Sequence, residues 1–519
     1  MRNISKIIVT AVLVVTSLLT AAAAQRPSGV GCWRSVPKRH AAASRMLAPQ
    51  EASAARLRYT GTRRGLVILA EFTDTKFKAN NNRERYINIF NAEGYHTKEG
   101  FRGSVKDYFR DQSAGQFDLV FDVVGPYKTS RPYKYYGEND LDGYDKHPEE
   151  MVVEMCRAAD GEVNFKDYDW NGDGEADEVF VVYAGKGEAD GGGVNTIWPH
   201  MWTLKDAGTS LRLDGVRIET YACSNELQAV GGITGIGNFC HEFAHCLGLP
   251  DFYDITYSGA FGMGSFDLMC EGNYGGNGFC PVGFTAYEKM VCGWQEPIVL
   301  STADVDVDSL KAMSDNGDSY IIYNEANRDE FIMIENRQMT GWDTHYPAKG
   351  LLITHVDYDS EVWDANIPNS ILTLDEAKQL ELSVGNDHQR MTLYHADDDD
   401  DSRYWRKTYY SRTTLATDLY PYQTNDSLTG TSKPAAQFFH SDATGNNLLQ
   451  GAITNIREND DGTMAFSYRA PRQVVGISEA GSPTPRLHRI YTLDGRCVGT
   501  NWDALAPGLY IVDGRKRIK

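Results

Sequence analysis

Residues 240–251 read Cys-His-Glu-Phe-Ala-His-Cys-Leu-Gly-Leu-Pro-Asp, and no other stretch constrains this chain as strongly. On an α-helix, side chains four residues apart lie on one face, one turn above the other. His241 and His245 have that spacing, so they can aim two imidazoles at one metal ion. Glu242 shares the helix but is rotated relative to them, which suits a general base on a zinc-bound water rather than a third ligand. Gly248 reads as the helix stop, because glycine takes the left-handed conformation at low cost. Pro250 cannot extend the helix, so the chain turns back and brings in Asp251. A catalytic zinc takes three protein ligands and keeps one position open for water. His241, His245 and Asp251 supply that number. The plain alternative is a surface helix with two histidines. The glycine and the aspartate at their places make H-E-x-x-H-x-x-G-x-x-D far more specific than H-E-x-x-H alone.

The extended motif and the residues C-terminal to it resemble the immune inhibitor A-like (M6) metallopeptidases, zinc endopeptidases related to the metzincins. Metzincins place a methionine turn beneath the metal. Here the chain continues Gly-Met-Gly-Ser-Phe-Asp-Leu-Met at 262–269, with Met269 the first choice for that methionine and Met263 its competitor. The resemblance also covers residues 103–109, 169–185, Trp198-Pro199-His200 and Ile334-Glu335-Asn336-Arg337-Gln338, and so runs from about residue 60 to 470. Most metzincins have histidine as the third ligand. Asp251 departs from that pattern and fits the immune inhibitor A-like branch. The resemblance implies a metzincin-type zincin catalytic domain that hydrolyses peptide bonds, with substrate bound as an extended strand along a sheet edge. Tyr253 and Tyr274 are candidates for stabilising the developing oxyanion, though packing is the plainer role for each.

A chain of 519 residues needs more than one core. The expected organisation is a signal peptide (1–24), a pro-segment or linker (25–60), an α+β, α/β-like catalytic domain (61–298), a β-sandwich-like domain (299–470), and a linker with a small β module (471–519). The leader has a short basic start, an apolar run over 7–19 and four alanines at 21–24, so the chain reads as exported, to be secreted or held at the cell surface. Cys32, in the linker, could cap the zinc in a latent precursor, and an ordinary linker cysteine is the plainer reading. With Lys+Arg 51 against Asp+Glu 71, the net charge of −20 disfavours nucleic acid and anionic membrane as partners. The expected partner is a protein or peptide substrate.

Apolar runs at 65–72 and 179–184 read as buried strands, 117–124 as a further strand, and 104–112, 148–158 and 284–290 as helices. Short β stretches at 319–323, 330–335, 351–356, 453–456 and 463–468 make up the second domain. Six of the nine cysteines fall at Cys223, Cys240, Cys246, Cys270, Cys280 and Cys292, where disulfides would brace the active site, with no pairing assigned. Asp169, Asn171, Asp173 and Asp177 occupy EF-hand-like loop positions, with Gly174 at the sharp turn and Glu175 offering its backbone carbonyl. Calcium is therefore expected there as a second metal, on a loop that lacks the closing glutamate of a true EF-hand. His355, Asp357, His388 and His395 lack tight spacing and read as structural, and the acidic run at 397–401 reads as a solvated loop. Residues 489–519 resemble C-terminal sorting domains of the type IX secretion route, which implies a secretion machinery as a further partner. The alternative to a peptidase is a secreted binding protein with an inactive zincin domain, against which the intact Glu242 speaks.

Overall fold

The computed structural model describes residue 49 and residues 59–519, apart from 142, 257–258, 403–410, 473–489, 494–495, 500 and 513–514. The leader, nearly all of the linker and Cys32 lie outside the described residues. The chain divides into two compact units at Pro471 and Arg472.

The first unit is built on a five-stranded sheet in the order Phe117–Lys128, Gly61–Glu71, Val179–Lys186, Thr220–Leu227, His200–Thr203. The first four strands are parallel and His200–Thr203 runs antiparallel at the edge. The central strand is apolar without alternation because both its faces are covered. On that strand (Val179–Lys186), Phe180 and Val182 face a core that contains the helix Gly237–Cys246, while Val179, Val181 and Tyr183 face one that contains the helix Pro148–Ala159. Val67 and Leu69 on its neighbour divide from Leu66, Ile68 and Ala70 in the same way. The apolar runs at 65–72 and 179–184 thus form strands as expected. Thr220–Leu227 gave no such signal, because it buries Ser224, Asn225 and Glu226 among its apolar residues. Glu226 is satisfied by the Lys78 and Gly185 N–H groups and the Asn81 amide, at 2.6–3.0 Å.

Phe239 and Phe243 seat the helix Gly237–Cys246 on the sheet, packing on Phe180 at 5.5 Å and Phe121 at 5.9 Å between ring centroids. The helix starts against residue 273 so closely that a Cβ on Gly237 would lie 1.8 Å from the Asn273 carbonyl oxygen.

The second half of this unit holds two further sheets. One runs Met391–Leu393, Gly350–Asp357, Asn327–Arg337, Tyr320–Asn324, Ile298–Val299, and the other Val305–Leu310, Met464–Arg469, Ala452–Glu458, Leu428–Thr429. Ile322, Ile332, Ile334 and Ile353 point between the two sheets, toward Ile453, Met464 and Phe466. The alternate residues Ile321, Phe331, Met333 and Leu352 point the other way, into the core that also holds the helix Gly237–Cys246. One sheet is thereby buried on both faces, and its inner face is shared with the first half of the chain.

A buried ion network reinforces this junction. Arg337 pairs with Glu335 at 2.9 Å and Asp343 at 3.0 Å and donates to the Gly283 carbonyl at 2.8 Å. Glu335 in turn accepts from the Ala286 N–H at the start of the helix Ala286–Val291.

The second unit is an antiparallel sheet in the order Cys497–Gly499, Ile490–Thr492, Leu509–Val512, Arg515–Ile518. Among the described residues, no helix is long and apolar enough to cross a membrane.

The buried charges have two consequences for stability. Replacing Arg337 by Met leaves Glu335 and Asp343 without their cation. Denaturant unfolding is expected to show a loss of about 3–5 kcal/mol. Glu178 is fully buried, and burial pushes its carboxyl up to about 8 against the downward pull of the Leu66 N–H. The folded chain then holds a proton that the unfolded chain releases above its ordinary value of 4.5, so this group makes stability fall as pH rises from there toward 8. Glu178→Gln is expected to flatten that window and to be the more stable form at pH 8, by on the order of a few kcal/mol.

Candidate metal centre

His241 and His245 project from one face of their helix, ring centroids 4.8 Å apart and ring planes at 90°. Each ring is held by its Nδ1, which donates to a carbonyl: Leu268 at 2.9 Å for His241, Leu249 at 2.7 Å for His245. A carbonyl can only accept, so Nδ1 carries a hydrogen and Nε2 is the nitrogen that faces the site, where a metal would take the place of a proton. Gly248 adopts φ +90° and stops the helix as expected. The reversal brings Asp251 Oδ1 to 3.2 Å from His241 Nε2 and 3.3 Å from His245 Nε2. The second carboxylate oxygen, Oδ2, accepts from the Asn366 amide at 2.7 Å.

These residues fit a metal ion. The three ligand atoms lie within 4.8 Å of one another. His241 Nε2 and Asp251 Oδ1 are buried with no hydrogen-bond partner. Two imidazole nitrogens and one carboxylate oxygen form a donor set suited to zinc with an open position. The charges are already adjusted to each other. Burial pushes the Asp251 carboxyl up, but the two imidazoles outweigh it and hold it well below the usual range. Burial draws His241 down, and Asp251 with Glu242 more than reverses this, to about 9. Glu242 is itself buried, and its charge is felt by His241, His200 and Cys223.

The floor of the site is the turn at 267–269. Asp267 accepts from the Met269 N–H at 2.6 Å, and the Met269 carbonyl accepts from the Phe252 N–H at 2.8 Å. Met269 and its competitor Met263 are both fully buried. Tyr253 packs on the core beside the metal loop, and the Tyr274 hydroxyl is enclosed by protein. The six clustered cysteines are buried and form no disulfide with one another, so packing braces the site. Burial pushes the thiols of Cys223, Cys240, Cys270 and Cys292 up, and that of Cys280 to about 12.

The calcium loop gains no support. Asp169 accepts from the Gly172, Asp173 and Gly174 N–H groups at 2.7–3.1 Å, and Asp173 accepts from the Glu175 N–H at 2.9 Å. Asp177 accepts from the Trp170 N–H, and the Glu175 side chain pairs with Arg217 at 2.8 Å. The loop thus uses its oxygens on its own backbone, and its carboxylates do not converge as a ligand set. Distant residues do meet elsewhere. His355 pairs with Glu330 at 2.8 Å, His388 and Arg390 with Asp357 at 2.9 and 2.6 Å, and His395 with Asp418 at 2.9 Å. Asp401, in the acidic run, is buried rather than solvated.

Sequence reading missed Asn366, Leu249 and Leu268. The last two act through carbonyls, which any residue carries. Asn366 lies 115 residues from Asp251, beyond any spacing rule.

A buried His-His-Asp set with an adjacent glutamate on an α/β scaffold defines a metal-dependent hydrolase class. Residues 59–294 match the family model of the immune inhibitor A peptidase M6 catalytic domain. The ends of that segment meet, since the Trp294 indole donates to the Tyr59 carbonyl at 2.8 Å. The chain is 27% identical over 268 residues to immune inhibitor A of Bacillus thuringiensis subsp. alesti, covering 43% of this chain and 38% of the relative. It is 29% identical over 229 residues to the pre-pro-metalloprotease PrtV of Vibrio cholerae serotype O1 (strain M66-2), covering 39% of this chain and 25% of the relative. The matches thus span well under half the length of either relative. Together they support a metallopeptidase of the M6 kind.

Metal removal should be visible in stability. With free zinc at about a hundred times its Kd, binding adds ~2.7 kcal/mol to the unfolding free energy. His245→Ala is expected to hold no zinc and to lose that increment, as measured by metal analysis and by thermal unfolding with and without zinc.

Proposed function

We propose that the protein is a secreted zinc-dependent endopeptidase acting on extracellular proteins. The observation that carries this reading is the meeting of His241 Nε2, His245 Nε2 and Asp251 Oδ1 at one buried point, with Glu242 one residue from the first ligand. Zinc bound there would supply a Lewis acid for the scissile carbonyl and make water acidic near neutral pH. Glu242 takes the proton of the attacking water and returns it to the leaving amine. Met269, buried beside the carbonyl that orients His241, underlies the site as a metzincin-type methionine. The antiparallel edge strand His200–Thr203 belongs to the same sheet and is where an extended peptide would add as a further strand.

Export rests on the leader at 1–24, and sorting on the C-terminal unit. The basic residues Arg515, Lys516 and Arg517 lie exposed on an edge strand of that unit, open to a secretion machinery.

The test is casein hydrolysis by purified protein beside Glu242→Ala, with zinc quantified in both. The expected result is one zinc in each and a loss of at least ~100-fold in the variant. Cleavage by the variant at the wild-type rate would remove Glu242 as the base.

A further inference from the structure

Asp251 is held from outside the 59–294 segment. Its backbone N–H donates to Asn366 Oδ1 at 2.7 Å, and the Asn366 amide donates to Asp251 Oδ2 at 2.7 Å. An N–H can only donate, so the Asn366 carbonyl oxygen must face it and the NH2 group must face the carboxylate. One carboxamide therefore closes a ring on a single residue, gripping its main chain and its side chain together. Both partners are buried. With Oδ2 engaged, Oδ1 alone is left toward the two imidazoles.

Asn366 is itself firmly placed. It lies just past the short helix Ser360–Asp364 and takes the left-handed conformation at φ +55°. Its N–H donates to the Trp363 carbonyl at 2.9 Å, and the fully buried Trp363 donates to the Tyr287 hydroxyl at 3.0 Å. Three residues on, Asn369 donates to the Phe252 carbonyl at 2.8 Å and to the Met391 carbonyl at 2.6 Å. Two asparagines of one segment thus grip the consecutive residues Asp251 and Phe252.

We infer that Asn366 is a positioning residue of the metal centre: it presents Asp251 as a ligand through Oδ1 alone, and residues 59–294 without it hold an incomplete site. The inference rests on the zinc reading of that site. The carboxamide is matched to its task. It offers one acceptor to an N–H and one donor to a carboxylate, whereas an aspartate there would set a second negative charge against Asp251. Groups that hold a ligating carboxylate change metal affinity by about 10–100-fold when removed.

Asparagine is also favoured at a left-handed position after a helix, which is a purely structural reason for its presence. Asn366→Gly separates the two roles, because glycine takes that conformation freely and lacks the carboxamide. In the full chain, zinc affinity is measured by competition with a chelator, and Co2+ replaces zinc to report coordination in its visible spectrum. Asn366→Gly and Asn366→Asp are each expected to bind zinc about 10–100-fold more weakly and to change the cobalt spectrum. The zinc-induced rise in melting temperature is expected to shrink as well. Asp359→Ala, which uncaps the short helix Ser360–Asp364 of the same segment without touching the metal loop, should leave the cobalt spectrum as in wild type. Variants that bind zinc with wild-type affinity and give the wild-type spectrum would overturn the positioning role and leave the zinc reading standing. A wild type that takes up no zinc would overturn both.

Discussion

A carboxylate buried between two imidazoles, away from water, sets the terms for the structure around it. Such a charge is costly to bury unless each of its oxygens has a use. Asp251 divides them, with Oδ1 turned to the Nε2 atoms of His241 and His245 and Oδ2 to the Asn366 amide. The imidazoles are fixed in turn by the Leu249 and Leu268 carbonyls. Those carbonyls belong to the helix exit and to the turn at 267–269, and the turn is tied back to the metal loop where Phe252 meets Met269. Each bond limits the freedom of the next, so protein contacts hold the two imidazoles and the carboxylate together.

This arrangement needs the second half of the first unit. The strand Asn327–Arg337 is buried on both faces, one against the opposing sheet and one against the core beneath the site. Arg337, Glu335 and Asp343 join that strand to Gly283 and to the helix Ala286–Val291. The segment at 359–370 is supported by this shared core through Trp363 and Ile367, and it carries Asn366 and Asn369 to the metal loop. The residues that resemble a peptidase catalytic domain and those C-terminal to them therefore meet around one candidate metal centre, although the family match stops at residue 294.

Local chemistry made much of this legible. The spacing of His241 and His245, the stop at Gly248 and the return of Asp251 come from helix geometry and from the conformational freedom of glycine, which act over a few residues. The strands at 65–72 and 179–184 were readable because burial on both faces demands continuous apolar side chains. Thr220–Leu227 was not, since its buried Asn225 and Glu226 bond to distant segments, Asn225 to Asp190 and Glu226 to Asn81 and Gly185. At 169–177 ligand type alone does not decide the use of the oxygens, since those that could hold calcium accept from the N–H groups of their own loop. His355, Asp357 and His388 read as structural, and they form structural ion pairs, His355 with Glu330 and Asp357 with His388 and Arg390.

The sequence by itself determined the helix that carries His241 and His245, its stop at Gly248 and the return of Asp251 toward the two histidines, because each depends on backbone geometry within one or two turns. Only the tertiary structure decided what holds those ligands in place. Asn366 reaches Asp251 across 115 residues, and Leu268 reaches His241 through a carbonyl that no side chain announces. Contacts of that kind arise from how sheets and loops pack, and packing at such separation leaves no spacing in the chain to read.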